Sequence, residues 1–108
     1  MDVEIDKSHL LALAGDDNEA VLMILEEFYE NSVVIITELK QNSDAENIEL
    51  SRQLLHQLKG SSGMFGMSTL HDLCKKLEVS TELLEAQLSS LRIQLEKSCQ
   101  LARAVLLG

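Results

Sequence analysis

The chain has 108 residues, which fits one domain spanning residues 1–108, and its 45% of hydrophobic residues excludes a disordered chain. No apolar run approaches the roughly 20 residues of a membrane span, and no basic segment followed by an apolar stretch marks a signal peptide. The formal net charge of −9, with −11 in residues 1–50 and +2 in residues 51–108, argues against nucleic acid and anionic membranes as partners.

The composition favours helices, because Pro is absent and Leu, Ala, Glu and Gln outnumber β-branched and aromatic residues. The first long helix is predicted to begin near Asp16 or Asp17, where Asp16 and Glu19 can form a capping box. Its apolar stripe has the three- and four-residue spacing of an amphipathic helix: Val21, Leu25, Phe28, Ser32, Ile35 and Leu39. A short extra helix before it is indicated by Ile5, Leu10 and Leu13.

The second long helix is predicted to begin at a capping box formed by Ser43 and Glu46. Gly66 is the predicted stop, because Gly readily adopts the left-handed conformation that ends helices. The apolar stripe between them consists of Ile48, Leu54, Leu55, Leu58, Ser62 and Phe65. The sequence Ser61-Ser62-Gly63 has a loop-like composition, but the stripe runs through it and predicts that the helix continues.

Two further helices follow the same pattern, with Ser68 as the predicted cap of the third and Ser80 or Thr81 as that of the fourth. The inner face of the third helix carries Leu70, Leu73, Cys74 and Leu77. The stripe of the fourth helix is Leu84, Leu88, Leu91, Leu95, Ser98, Ala102 and Val105. Four amphipathic helices joined by short links predict an all-α fold, an antiparallel four-helix bundle with a short extra N-terminal helix.

Two cysteines, Cys74 and Cys99, do not make a disulfide framework or a four-ligand metal site. Cys74 also falls on the apolar stripe of the third helix, where packing explains it. We therefore expect a reduced, cytoplasmic protein without a bound metal. His9 is interpreted as a solvated surface residue.

The outer face of the second helix carries a group of residues that suits a small anion. A helix turns about 100° per residue, so one outward or flanking face holds Arg52, His56, Lys59, Gly60 and Gly63. A neutral imidazole is a nucleophile, and Lys59 can neutralise a phosphoryl oxygen. The two glycines each destabilise the helix by roughly 1 kcal/mol relative to Ala, which makes sense if a partner approaches the backbone closely. Solvated charges and glycines used for helix packing would give the same pattern.

A dense motif begins at His56 and ends at Glu78. It reads His-Gln-Leu-Lys-Gly-Ser-Ser, then a Gly ten residues after the His, then Leu70, Cys74 and the pair Leu77-Glu78. This segment resembles the histidine-containing phosphotransfer (HPt) domain of two-component phosphorelays, without a gap over 23 residues. Upstream, Ile5-Asp6, Gly15-Asp16-Asp17 and Phe28 also fit the family, and the likeness is weakest after Val79.

The resemblance implies a role for several residues of this segment. His56 matches the phosphoacceptor, which is modified on Nε2. Lys59 matches the lysine that lies beside the phosphoryl group, and Gly60 matches the small residue that gives partners access. Glu78 matches a polar position that can hydrogen-bond the ring, and such a bond to Nδ1–H would leave Nε2 free to attack. Arg52 has no counterpart in the family, and its help in binding phosphate is inferred from its position alone.

The resemblance further implies a phosphocarrier without catalytic activity of its own. We expect His56 to exchange a phosphoryl group with the aspartate of response-regulator receiver domains, supplied by a hybrid sensor histidine kinase. Mg²⁺ is expected on the receiver and no cofactor on this chain, which carries no nucleotide-binding glycine motif. An acidic bundle of this size is expected to be a monomer.

Two other functions stay open. A domain of the same fold could dock a receiver without being phosphorylated, but the joint presence of His56, Lys59 and Gly60 argues against this. A metal-binding bundle could use His71 and Cys74, at positions i and i+3 of one helix, together with His56 or Glu78. The core position of Cys74 and the lack of a second close pair argue against a metal site.

Overall fold

The structure, a computed structural model, describes residues 5–42, 47–80 and 83–108. These residues form five helices and no strand: α1 Lys7–Ala12, α2 Asn18–Gln41, α3 Ile48–Met64, α4 Ser68–Glu78 and α5 Glu85–Leu107. The four long helices pack around one apolar core, and α1 packs against α2 and α5. The predicted all-α bundle with a short N-terminal helix is confirmed.

The start of α2 lies one residue later than the predicted capping box requires. Asp17 is the N-cap, and its Oδ1 accepts hydrogen bonds from the N–H groups of Glu19 and Ala20. Asp16 has a φ of +65° and follows Gly15 with a φ of +60°, so these two residues form the turn from α1 into α2. The prediction of Asp16 as the cap was therefore wrong, because an N-cap residue needs the extended backbone that Asp17 has.

The buried stripe of α2 agrees with the predicted one except near its C-terminal end. Ile36 is fully buried and Ile35 only partly, since the core position that follows Ser32 lies four residues further along the helix, not three. In α3 the predicted stripe is buried, with Ile48 half-buried at its start. Ser51 is an unpredicted member of the core, and its hydroxyl donates to the carbonyl of Asn42.

The link between α3 and α4 is short and begins with the predicted stop. Gly66 has a φ of +71°, and the Met67 N–H donates back to the Ser62 carbonyl at 3.0 Å, a pattern typical of helix ends. Met67 is the N-cap of α4 and Ser68 its first residue, so the prediction of Ser68 as the cap was wrong. The predicted capping box of Ser43 and Glu46 lies outside the described residues.

The last helix begins later than predicted. Leu84 is its N-cap, its N–H donates to the side chain of Gln87, and its own side chain is 54% exposed. Ser80 therefore does not cap α5, and Thr81 lies outside the described residues. The prediction of Leu84 as a core residue was therefore wrong, and Val105 is only partly buried, whereas Cys99 and Leu106 are buried without having been predicted.

Side-chain bonds between α2 and α5 fix the antiparallel arrangement of these helices. The Tyr29 hydroxyl donates to Glu96 at 2.6 Å, and Arg92 donates to the same carboxylate at 2.9 Å. Near the other end of the pair, Asn18 donates to the carbonyl of Leu106. The hydrogen bonds from Tyr29 and then Arg92 lower the pKa of Glu96, so the carboxylate stays ionised between the helices.

Cys74 and Cys99 are free thiols buried in the core. Burial raises the pKa of both thiols to about 12, so each is neutral and packs as a small apolar side chain. Within the described part of the chain, no helix combines the length and apolar content needed to cross a membrane.

Candidate functional site

His56 lies on the outer face of α3, as the helical spacing predicts. Its neighbours Leu55 and Leu58 are buried in the core, which turns the imidazole away from it. The His56 side chain is 69% exposed. A reagent or a partner protein can therefore reach the ring without any rearrangement of the bundle.

Glu78, the last residue of α4, joins two side chains of α3. Its Oε1 lies 2.9 Å from Nδ1 of His56, and its Oε2 accepts a hydrogen bond from Nζ of Lys59 at 2.7 Å. The buried side chains of Cys74 and Leu77, four residues and one residue before it, hold α4 against the core. Three residues that lie far apart in sequence thus form one connected group, the His56–Glu78–Lys59 bridge.

The electrostatics of this bridge determine which nitrogen of His56 carries the proton. The hydrogen bond from Lys59 and, secondarily, the one from His56 lower the pKa of Glu78 against the opposing effect of burial. The Glu78 carboxylate is therefore ionised near neutral pH and can only accept hydrogen bonds. It follows that Nδ1 of His56 is the donor. In the neutral ring, Nε2 then carries the free lone pair.

Lys59 lies beside the ring with part of its hydrogen-bonding capacity unused. Its ammonium group has three donors, and the bond to Glu78 occupies one of them. The side chain is mostly buried, so its charge acts in a less polar environment than bulk water. Lys59 can thus bind a second anion next to His56 while it remains paired with Glu78.

The two glycines of α3 differ in their surroundings. A Cβ on Gly60 would meet no atom within 4 Å, so the position beside the imidazole opens to solvent. A Cβ on Gly63 would lie 3.1 Å from Nδ1 of His71 on α4. The missing side chain at Gly63 therefore leaves room for a ring within the protein, and a role of Gly63 in partner access stays a prediction.

Arg52 is on the predicted face of α3 but points away from the bridge. Its guanidinium donates to Glu49 at 2.8 Å, one turn toward the start of the helix, whereas His56 lies one turn toward the end. The structure therefore does not bring Arg52 into the group formed by His56, Lys59 and Glu78. Its suggested help in binding phosphate is not supported by this arrangement.

Two histidines have structural partners that sequence reasoning missed. His71 Nδ1 lies 2.9 Å from the carbonyl of Lys59, and His9 Nε2 lies 2.8 Å from the carbonyl of Met64. Because a carbonyl only accepts, both rings donate in these bonds. His9 is exposed, as expected of a surface residue, and its bond to Met64 is an addition that the sequence did not indicate. The position of His71 against Gly63 was not predicted either. In the described ranges, no three His, Cys, Asp or Glu side chains lie close enough together to hold a metal ion.

Two shallow grooves run between α2 and α3. Their volumes are about 230 and 530 Å³, and both are lined by Asn31, Ile35 and Ser61. The larger groove also contacts Gln57, the residue after His56. This surface mixes apolar and polar side chains, a composition common in protein–protein interfaces.

Comparison with known proteins identifies the family. The family model of the Hpt domain matches residues 23–105, which include all of α3 and α4. Neither the comparison with curated proteins nor the comparison with solved structures found a match. Hpt domains are phosphocarriers without catalytic activity that interact with receiver domains and histidine kinases. With this match over most of its length and the confirmed helical bundle, the chain belongs to the Hpt domain family, the phosphotransfer modules of two-component signalling.

Proposed function

We propose that this protein accepts a phosphoryl group on Nε2 of His56 and relays it to or from the aspartate of receiver domains. The observation that carries the proposal is the hydrogen bond between Nδ1 of His56 and the ionised Glu78. That bond leaves the lone pair of the neutral ring on Nε2, on an exposed side chain. A nucleophile held in its reactive tautomer at the surface is what transfer between two proteins requires.

The transfer step follows from this geometry. The Nε2 lone pair attacks the phosphorus of an aspartyl phosphate, a P–N bond forms, and the P–O bond to the aspartate breaks. The aspartate leaves as a carboxylate, and the His56 ring becomes a phosphorylated imidazolium that keeps its proton on Nδ1. Glu78, ionised and hydrogen-bonded to that proton, balances the new positive charge. The reverse step returns the phosphoryl group to an aspartate.

Lys59 has the supporting electrostatic role in this proposal. Phosphoryl transfer depends mainly on positioning and on neutralising the charge of the phosphoryl oxygens. Lys59 Nζ is held at 2.7 Å from Glu78 and retains donors for a phosphoryl oxygen on the neighbouring ring. The receiver supplies the other charges, a Mg²⁺ ion and its own acidic pocket, so this chain needs no cofactor for the step.

Partner access is assigned to Gly60 and to the surface beside it. No atom would touch a Cβ at position 60, so a flat receiver surface can approach the backbone of α3 next to His56. The grooves between α2 and α3 are lined by Ser61, the residue after Gly60, and the larger one also by Gln57, the residue after His56. We propose that the receiver covers both Gly60 and the adjacent groove when its aspartate meets Nε2.

The test is phosphorylation of the purified protein by a phosphorylated receiver domain, or by a hybrid histidine kinase with ATP and Mg²⁺. We expect one acid-labile, base-stable phosphoryl group by mass spectrometry, absent in His56→Gln and retained in His9→Gln as the matched control. His56→Gln should keep its helical spectrum, because an exposed ring with one hydrogen bond contributes only about 1 kcal/mol or less. Receiver binding without any phosphoryl transfer would refute the carrier function and leave a docking module.

A further inference from the structure

His71 lies outside the His56–Glu78–Lys59 bridge but is bonded to the helix that carries it. Its Nδ1–H donates to the main-chain carbonyl of Lys59 at 2.9 Å, from the first turn and a half of α4. The same carbonyl accepts the hydroxyl of Ser62 at 3.0 Å. The imidazole of His71 is half-buried, so this bond is shielded from water on one side.

The His71 ring packs closely against Gly63 of α3. A Cβ on Gly63 would lie 3.1 Å from Nδ1 and 3.5 Å from Cε1 of the ring, closer than most side-chain contacts allow. The ring therefore rests directly on the backbone of α3, one turn after Lys59. This contact sets how closely α4 approaches α3 at this level of the bundle.

Directional bonds between α3 and α4 are few. In the described part of the chain, the hydrogen bonds that join the two helices through side chains are those of His71 to Lys59 and of Glu78 to His56 and Lys59. The remaining contact between the two helices is apolar packing, whose driving force is non-directional. Glu78 is the last residue of α4, where helices fray, so it depends on the residues before it for its position.

We propose that His71 is a positioning residue for phosphotransfer. Its ring packs against Gly63 and donates a hydrogen bond to the Lys59 carbonyl, and these two contacts fix the position of α4 relative to α3. Glu78 is thereby held within hydrogen-bonding distance of His56. His71 touches no reacting atom, and its effect reaches Nε2 through α4, Glu78 and the tautomer of the ring. This inference rests on the proposed phosphoacceptor role of His56.

Two substitutions separate the hydrogen bond of His71 from its volume. His71→Leu fills a similar space without a donor, whereas His71→Asn places an amide N–H near the position of Nδ1. We expect His71→Leu to slow phosphorylation of His56 on the order of 5-fold, the change that corresponds to one hydrogen bond of average net strength. His71→Asn should recover most of the wild-type rate.

The experiment has a readout that needs no phosphorylation. The ¹⁵N chemical shifts of the His56 ring report which nitrogen carries the proton in the unmodified protein. The rate is measured with phosphoramidate, a small donor that releases ammonia as the P–N bond to Nε2 forms, so receiver docking does not contribute. We expect wild type and His71→Asn to carry the proton on Nδ1, and His71→Leu to shift toward the tautomer protonated on Nε2 and react more slowly.

An unchanged tautomer and an unchanged rate in a folded His71→Leu variant would overturn the proposal. If His71→Leu does not fold, Gly63→Ala replaces it, because the added Cβ would lie 3.1 Å from Nδ1 and push the ring a few tenths of an ångström from its bonding position while the helix is preserved. A Gly63→Ala protein in which the His56 tautomer and the phosphorylation rate equal those of the wild type would likewise contradict the proposal. Failure of the proposed function is recognised separately, since the wild-type protein itself would then take up no phosphoryl group on His56.

Discussion

Gly60→Ala should raise the stability of the protein and lower its phosphotransfer at the same time. Gly60 lies inside α3, and a Cβ there would meet no atom within 4 Å. Ala is favoured over Gly in a helix interior by about 1 kcal/mol, and nothing in the structure opposes that gain. For a domain of about this size, the gain corresponds to a rise in Tm of about 4–8 °C. The added methyl group would stand beside His56, in the space proposed for the partner.

Gly63→Ala, in the same helix, serves as the matched control. It offers the same gain in helix propensity, but its Cβ would lie 3.1 Å from Nδ1 of His71. The ring must move by a few tenths of an ångström, which weakens its hydrogen bond to the Lys59 carbonyl. Weakening a bond whose net contribution is about 0.5–1.5 kcal/mol, together with the tight contact itself, offsets the gain. We therefore expect a Tm equal to or below that of the wild type.

Thermal unfolding followed by circular dichroism gives the stabilities, and transfer from a phosphorylated receiver gives the activities. The loss of transfer should grow from Gly60→Ala to Gly60→Leu, since the larger side chain keeps the partner further from the ring. Wild-type transfer by Gly60→Leu would refute the assignment of Gly60 to partner access. If Gly60→Ala were no more stable than the wild type, the conclusion that a side chain at position 60 meets no other atom would be contradicted.

Lys59→Ala should slow phosphoryl transfer to His56 without loss of the helical spectrum. A variant that transfers at the wild-type rate would contradict the role proposed for Lys59. The pKa of Glu78 lies below its ordinary value of 4.5 mainly because of Lys59, so its carboxylate stabilises the fold above pH 4.5 and loses that effect as the pH falls through the lowered pKa. The unfolding midpoint of Glu78→Gln should therefore approach that of the wild type in acid, and a constant difference would contradict this linkage. Leu58→Ala should destabilise by about 2–5 kcal/mol in urea unfolding, because Leu58 is fully buried. The control Leu50→Ala, at a residue 39% exposed, should change stability by about 0.5 kcal/mol or less.

Helix count, helix faces and the stop at Gly66 were predictable because they depend on local spacing. A period of 3.6 residues places Leu55 and Leu58 on one side of α3 and His56 on the other, whatever packs against it. Gly66 was predictable for a similar reason, since its positive φ is a backbone property of one residue. The motif from His56 to Glu78 added the family, which the match over residues 23–105 confirmed.

Helix starts were less predictable because several neighbouring residues can cap equally well in sequence. Asp16 and Asp17 have the same side chain, and the turn out of α1 decides which of them has the extended backbone of an N-cap. Likewise, the N-cap of α5 is Leu84, whose apolar side chain is not one of the usual cap residues that mark a helix start in sequence. Tertiary packing chose Ile36 over Ile35 for the core, since both lie close to the stripe.

The sequence by itself determined that this chain is helical, that His56 is exposed on α3 and that its surroundings suit a phosphoryl group. The family resemblance also pointed to a bond between Glu78 and the ring, but only the tertiary structure decided which other contacts form there. The Glu78 carboxylate bridges His56 and Lys59, and the His71 ring rests on Gly63, because α4 folds back along α3 at one particular distance and register. Such contacts depend on the packing of two helices against each other, and side-chain periodicity within one helix carries no information about it.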